Sequence, residues 1–408
     1  MRILLVNDKV PPEAAGAGKA VWALATGLTE LDHDIYVVSA SHVTGRERRH
    51  GVEMGWVRAS IPERWRGYLS LYNPQAVRQF RRYLDEVSPH VVHVHNVHGA
   101  LSYGCILAAS RAGYPVAYTA HDVMSFSYTK LDHYLNPLEC PPPGAETYRL
   151  PTSHNLRVAR FRYNPLRNST IRAILRRHVQ ARTAVSDALR VALEANGLGP
   201  HTVVHPGVAL DAGGSDPEMQ RVLAERLGIA GRPTILLAGR ISRAKGVIQA
   251  LSAFAKVKRW VPNAILLVLS DRPVDTSGCR PGLSEDVIQA GWLVGSELSA
   301  AFQLADVVVC PSICLDSFSL VALEAMSARR PVVASCHGGF AESVLDGVSG
   351  YIINPFDIDV FARKLVGLLT DPDARARFGV EGYRRYQGQF TPRHYAQRMI
   401  PVYSELVG

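Results

Sequence analysis

The stretch 307–355 constrains this chain most. Two short apolar runs there, VVVC and PVVAS, each pass through a turn into a segment of helical spacing. The first run ends at Cys310, and Pro311 and Ser312 turn the chain. A helix is expected from Phe318 or Ser319, because Leu320, Leu323 and the run from Ala325 to Ala328 recur at helical spacing. After PVVAS, Gly338 and Gly339 lead into 341–345 and open another helix. Strand, loop, helix, strand, glycine turn, helix makes two parallel-sheet units in series, hence an α/β fold.

Two carboxylates stand in that frame, Asp316 in the loop and Glu324 on the helix eight positions later. Amides at a helix start lack partners and favour an anion such as a phosphate. An ionised carboxylate accepts two hydrogen bonds side by side, which suits the vicinal hydroxyls of a ribose or hexose. Acids at this spacing also arise by chance, and two acids capping and solvating a helix is the plainer reading of the pair alone.

The whole segment resembles the EX7E motif of family 4 retaining glycosyltransferases, whose usual run is close to PS-x-x-E-G-F-G-L-x-x-x-E-A-M-A-x-G-x-P-V-V-A, followed by GG-x-x-E. Asp316 stands where the first Glu is expected, Ser317 and Ser319 replace two loop glycines, and Arg329 replaces the glycine after the helix. The resemblance runs along nearly the whole chain. It implies the GT-B fold, two doubly wound Rossmann-like domains facing across a cleft. The acceptor-binding domain would be 1–207 plus about 388–408, since the last helix crosses back, and the nucleotide-sugar domain 208–387. A length of 408 residues independently calls for two domains.

The remaining motifs follow in chain order. MRILLVN is a strand, and Gly16 and Gly18 let backbone approach a ligand at the next helix start. DIYVVSA is a second strand, ending in the polar segment SHVTGRERRHG. The basic aromatic stretch 63–72 suits either a lipid interface or a loop leading into a helix at 74–86. HVVHVHNVHG places His93 and His95 on one strand face, in reach of a single ion. A buried strand without metal is the reading preferred here, as in the family resembled. His121 follows the strand PVAYTA at its carboxyl end, where a sugar ligand or core packing would use it; the resemblance implies contact with the donor sugar. The irregular 124–167 reads as a surface excursion beside the acceptor. A basic helix is expected at 169–181, with Asp187 capping the next one, and a linker at 207–217.

In the second half, RPTILLAGRISRAKG brings Arg240 as a planar fork and Lys245 as a point charge, a good pair for a diphosphate. The acid pairs at Asp32 and Asp34, Asp357 and Asp359, and Asp371 and Asp373 read as capping and turns rather than as a metal-holding DxD. Arg272 would reach either the nucleotide or solvent. The resemblance implies that backbone near Gly291 and Trp292 reads the base, and that Glu342 meets the donor or caps its helix. It further implies that Asp316 touches the transferred sugar and Glu324 the ribose. The diphosphate would rest on Arg240, Lys245 and the amides of Ser317, Phe318, Ser319 and Leu320. The leaving phosphate would serve as base, with no metal and no cofactor.

The charge is uneven. Residues 1–200 hold 24 Lys and Arg against 16 Asp and Glu, while the rest of the chain is nearly balanced. A basic first half suits an anionic acceptor or a membrane surface, or is simply solvated. Six cysteines without a CxxC suggest reduced thiols. With no long apolar run and a first strand opening at Arg2, a cytoplasmic protein is expected, peripheral on the inner face of the membrane at most. The expected partners are a nucleotide sugar (UDP first, then GDP or ADP) and an acceptor glycan, lipid-linked sugar or small molecule. Rival classes are another GT-B enzyme, a phosphorylase or nucleotide-sugar epimerase, and a non-catalytic binder of nucleic acid or membrane. No nucleic acid is expected, because nothing resembles a reading module.

Overall fold

The computed structural model describes residues 1–11, 16–133, 138–139, 145–151, 153–209, 216–277 and 282–408. By their contacts they form two units. One comprises the described residues of Met1–Leu131, Gly144–Gly207 and Thr391–Gly408; the other comprises those of Val208–Phe390 and of 132–143.

The first unit is built on β1 (Arg2–Asn7), β2 (Asp34–Ser41), β3 (Gly45–Arg49), β4 (Val52–Arg58), β5 (Val91–Val94), β6 (Val116–Ala120), β7 (Ala181–Ala184) and β8 (Thr202–Val203), in the order β3-β4-β2-β1-β5-β6-β7-β8. Leu4 of β1 pairs in parallel with Tyr36 on one side and Val92 on the other. Parallel strands carry helices on both faces, so Ile3, Leu4, Leu5 and Val6 are all buried without alternation. The chain's last helix, Pro392–Val407, belongs to this unit. Its Tyr395, Met399 and Tyr403 share a core with Ile3, Leu5, Val21 and Leu24.

The second unit holds β9 (Thr234–Ala238), β10 (Ile265–Leu269), β11 (Val287–Gly291), β12 (Val307–Cys310), β13 (Val332–Ser335) and β14 (Gly350–Ile353), in the order β11-β10-β9-β12-β13-β14. Every pairing is parallel, and Leu236 lies between Leu267 and Val308. In both sheets the order reverses beside the first strand, between β1 and β5 and between β9 and β12. Ligands bind at such points, outside the carboxyl ends of the strands.

Four sequence expectations change. The segment SHVTGRERRHG is not a polar tail: it contains β3, which pairs antiparallel with β4 across a turn at His50 and Gly51, both at positive φ. This edge strand is almost wholly exposed and carries arginines that blunt the edge, so it has no apolar face to betray it. The described residues of 124–167 include a packed part rather than only a surface excursion, for Phe126, Leu131, Tyr148 and Arg167 are buried. Ser186, not Asp187, caps the helix Asp187–Ala195, accepting the Leu189 amide, while Asp187 pairs with Arg190. The helix after Gly339 is a single turn, Phe340–Ser343. The linker drawn at 207–217 has its middle, 210–215, outside the described residues.

His201, just before β8, is buried, and neither ring nitrogen has a hydrogen-bond partner among the described residues. Burial, with the Arg182 charge adding to it, holds its pKa down at about 4 against an ordinary 6.5. Below pH 6.5 the unfolded chain therefore takes up a proton that the folded one refuses until about pH 4. Stability is lost as pH falls through that window, by about 1.4 kcal/mol per pH unit for this group. His201→Leu is expected to flatten the dependence of the urea midpoint between about pH 7 and pH 5. An unchanged slope would remove the assignment.

Candidate active site

Three loops at the carboxyl end of the second sheet are stitched to one another. After β9 the chain runs through Gly239 and Arg240 into a tight turn, Arg243–Lys245, and then the helix Val247–Val257. After β12 it runs through Pro311 and Ser312 to Asp316 and the helix Leu320–Ser327. The Ile313 amide donates to the Ala244 carbonyl (2.9 Å), joining these two loops. The loop after β13 joins as well, since Gly339 N–H donates to the Asp316 carbonyl (2.8 Å).

Two glycines allow this approach. A Cβ on Gly246, at φ 74°, would lie 1.7 Å from the Pro311 carbonyl oxygen, and one on Gly338 would lie 2.2 Å from that of Asp316. Neither position accepts a side chain without moving backbone.

The stitching brings together Lys245 and Asp316, which are 71 residues apart. The Lys245 ammonium meets Asp316 Oδ2 at 2.5 Å, and Ser312 Oγ donates to the same oxygen at 2.9 Å. The Asp316 side chain is 8% exposed and that of Lys245 31%. Burial is the largest single influence and disfavours the ammonium, but the Asp316 carboxylate and, less, Cys314 and Cys310 together outweigh it, so the Lys245 pKa lies above its ordinary value. Lys245 is therefore a firm cation.

Arg240 is exposed in the same loop as Lys245, just after β9, in no ion pair among the described residues. Glu324 is buried on the helix Leu320–Ser327, which Ser319 caps by accepting the Ala322 amide. The first amides of that helix, beginning at Leu320, have no carbonyl one turn earlier in the helix. Ser317 is half-buried and precedes Phe318, whose ring packs against Phe390 with centroids 5.9 Å apart.

Other predicted residues lie on neighbouring elements of this unit. Gly291 ends the edge strand β11, two strands from β9, and Trp292 follows it; the Gly291 carbonyl accepts the Ser270 amide, and Trp292 is 38% exposed. Arg272 lies in the loop after β10 and is exposed. Glu342 is half-buried on the one-turn helix, its carbonyl taken by Arg385 (2.8 Å).

Gly16, His121 and their neighbours belong to the first unit. Gly16 precedes the helix Ala17–Thr29, Gly18 is buried in its first turn, and residues 12–15 of that loop lie outside the described residues. His121 follows β6, with Nε2 2.9 Å from His95 Nδ1. Burial holds His121 down to about 4, so this ring is neutral near pH 7.

At the reversal between β1 and β5 lies a group the sequence reading missed. The Asp8 carboxylate accepts the amides of Gly99, Ala100 and Leu101 at 2.5, 3.0 and 2.7 Å. Asp122 accepts from Asn96 Nδ2 and the Met124 amide, with His98 3.7 Å away. An acid immediately after a buried first strand was the available signal. His93 spends both ring nitrogens on hydroxyls, of Tyr403 and Thr119, each at 2.7 Å. Asp357 and Asp371 cap helices, accepting the Val360 and Ala374 amides. Cys105, Cys310, Cys314 and Cys336 are buried; Cys140 and Cys279 lie outside the described residues.

Two parallel-sheet units of this kind define the GT-B fold of glycosyltransferases. Sucrose-phosphate synthase of Thermosynechococcus elongatus superimposes with a TM-score of 0.73 at 20% identity, over 99% of this chain and 98% of that one. Anabaena HepE, solved in complex with UDP and glucose, gives 0.69 at 18% over the whole of both chains. Residues 14–212 match the family Glycosyltransferase Family 4, and residues 220–385 match Glycosyl transferases group 1. This chain belongs to glycosyltransferase family 4. A GDP-mannose-dependent α-(1-6)-phosphatidylinositol monomannoside mannosyltransferase of Mycolicibacterium smegmatis is 29% identical over 201 residues, 46% of this chain. The chain spans about half of that relative's length (53%).

Proposed function

We propose that this chain transfers a sugar from a nucleoside-diphosphate sugar to an acceptor hydroxyl, retaining the anomeric configuration. The observation that carries this reading is the set of stitched loops at the reversal between β9 and β12, bearing Lys245, Asp316 and the buried Glu324. Arg240 and Lys245 hold the diphosphate, and the first amides of the helix Leu320–Ser327 lend partial positive charge. Glu324 accepts from the ribose hydroxyls.

The bond from the anomeric carbon to phosphate oxygen breaks, and its electron pair leaves with the diphosphate. The acceptor oxygen bonds the carbon on the same face, and its proton passes to the leaving phosphate, so no protein base is required. Fixed cations placed before reaction do the work often given to a metal ion; turnover should therefore survive EDTA. UDP- and GDP-sugars are the first donors to try, because the HepE complex holds UDP and the mannosyltransferase is named for GDP-mannose. The acceptor is a glycan, a lipid-linked sugar or a small hydroxyl compound.

A thermal-shift screen of UDP-, GDP- and ADP-sugars is expected to raise the melting temperature with one base family. In that screen Glu324→Gln should weaken the matching donor by about ten- to a hundredfold, the loss of charge-assisted hydrogen bonds to ribose. With acceptor present, release of nucleoside diphosphate and a glycosylated product distinguishes transfer from epimerisation or phosphorolysis. No shift with any sugar nucleotide would sink the proposal.

A further inference from the structure

Two segments far apart in the chain, 63–72 and 153–167, meet in the first unit. Asn164 Nδ2 donates to the Gly67 carbonyl at 2.9 Å, the Tyr68 hydroxyl to the Tyr163 carbonyl at 3.4 Å, and Arg162 pairs with Glu63 at 2.6 Å. Around that seam large apolar side chains face water. Phe161 is 81% exposed, Leu166 67%, Leu156 52% and Trp65 50%. Such a concentration on one surface marks an interaction site rather than scattered exposure.

The charge beside it has one sign. The two segments hold six arginines and a single acid, Glu63, which Arg162 already neutralises. Arg167 is buried and donates to the Met124 carbonyl. Arg64, Arg66, Arg157 and Arg160 remain, and all but the half-buried Arg66 are exposed.

We propose that this surface docks on an anionic lipid bilayer, with Phe161, Leu166 and Trp65 entering the headgroup–acyl boundary and the arginines meeting lipid phosphates. The chain lies on the bilayer and does not cross it at this site: among the described residues no helix is long and apolar enough to span. Phe161 and Trp65 offer rings for a base to stack on, but the aliphatic Leu156, Val158 and Leu166 beside them do not, which favours hydrocarbon over single-stranded nucleic acid. The arginines are complementary to acidic headgroups, and not to a second copy of the same basic surface.

Sedimentation of the full chain with phosphatidylcholine vesicles, with and without phosphatidylglycerol, tests this. Binding is expected only when phosphatidylglycerol is present, and should weaken as salt rises. The double variant Phe161→Ser, Leu166→Ser and the double variant Arg157→Ser, Arg160→Ser should each cut binding by about tenfold or more. Their melting temperatures and nucleotide-sugar thermal shifts should match those of the parent protein. Equal binding to both vesicle types, binding to neither, or full binding by the variants overturns the proposal. So does a change, in these variants, of oligonucleotide binding or self-association in place of vesicle binding. Donor binding is read separately, so failure here leaves the transferase reading standing.

Discussion

Lys245→Ala lowers turnover at saturating donor by about a hundred- to a thousandfold, the expected cost of removing one fixed charge from a developing anion. The pair it forms with Asp316 makes this residue more than a surface cation. Asp316 is held by Lys245 and by Ser312, on a loop whose backbone is pinned from both sides. Because that carboxylate pushes the Lys245 pKa upward, the ammonium persists across the working pH range, and loss of activity in mild alkali should not trace to it. Removing the ammonium also leaves the Asp316 carboxylate without its counter-charge, so a modest fall in stability of about 1–3 kcal/mol accompanies the kinetic effect. A comparison with Asp316→Asn separates two roles for the acid. If Asp316 positions Lys245, the Asn variant weakens nucleoside diphosphate and sugar nucleotide by the same factor in calorimetry. If it grips a sugar hydroxyl, only the sugar nucleotide suffers. Retention of more than about a tenth of turnover by Lys245→Ala would contradict the assignment.

Gly246→Ala is the second large effect. Its Cβ would stand 1.7 Å from the Pro311 oxygen and 2.6 Å from the Pro311 carbon, so backbone must move. A positive φ adds about 1 kcal/mol for any residue with a Cβ. Gly347 supplies the control, since its φ is 72° and a Cβ there meets nothing within 4 Å. Gly347→Ala should cost only the conformational share, about 1 kcal/mol or 2–4 °C in melting temperature. Gly246→Ala should cost roughly 3–5 kcal/mol and separate the Ala244 carbonyl from the Ile313 amide, with donor binding lost in parallel. Equal losses in the two variants would mean that the loops are not locked together as described.

Much of the second unit was legible because its strands announce themselves. TILLA, ILLVL, VVVC and VVAS are buried on both faces and stop at glycine, proline or serine. Ser319 and Glu324 could be placed on a helix start and its following turn from spacing and resemblance. The pairing of Lys245 with Asp316 could not, because it is made by two loops that share no local pattern and meet only once β9 and β12 lie side by side. The β3–β4 hairpin was missed for the opposite reason: a charged edge strand has no apolar alternation to read. Asp8 was missed because its partners are three consecutive amides more than ninety residues away, and amides leave no trace in a sequence. Region 124–167 looked irregular because its described residues are tied down by buried and half-buried polar anchors. Asn155 and Asn168 both donate to the Phe126 carbonyl, and Arg167 to that of Met124.

The helix Pro392–Val407 also governs the order in which the protein can be finished. The first strand leaves the ribosome early, yet Tyr395, Met399 and Tyr403, which complete the core around Ile3 and Leu5, are translated only after residues 208–390. Until then the His93 ring has no Tyr403 hydroxyl to meet. During synthesis the amino-terminal lobe must wait with an open flank while the whole carboxyl-terminal lobe is made. Chaperone demand should therefore concentrate on the half of the chain that emerges first.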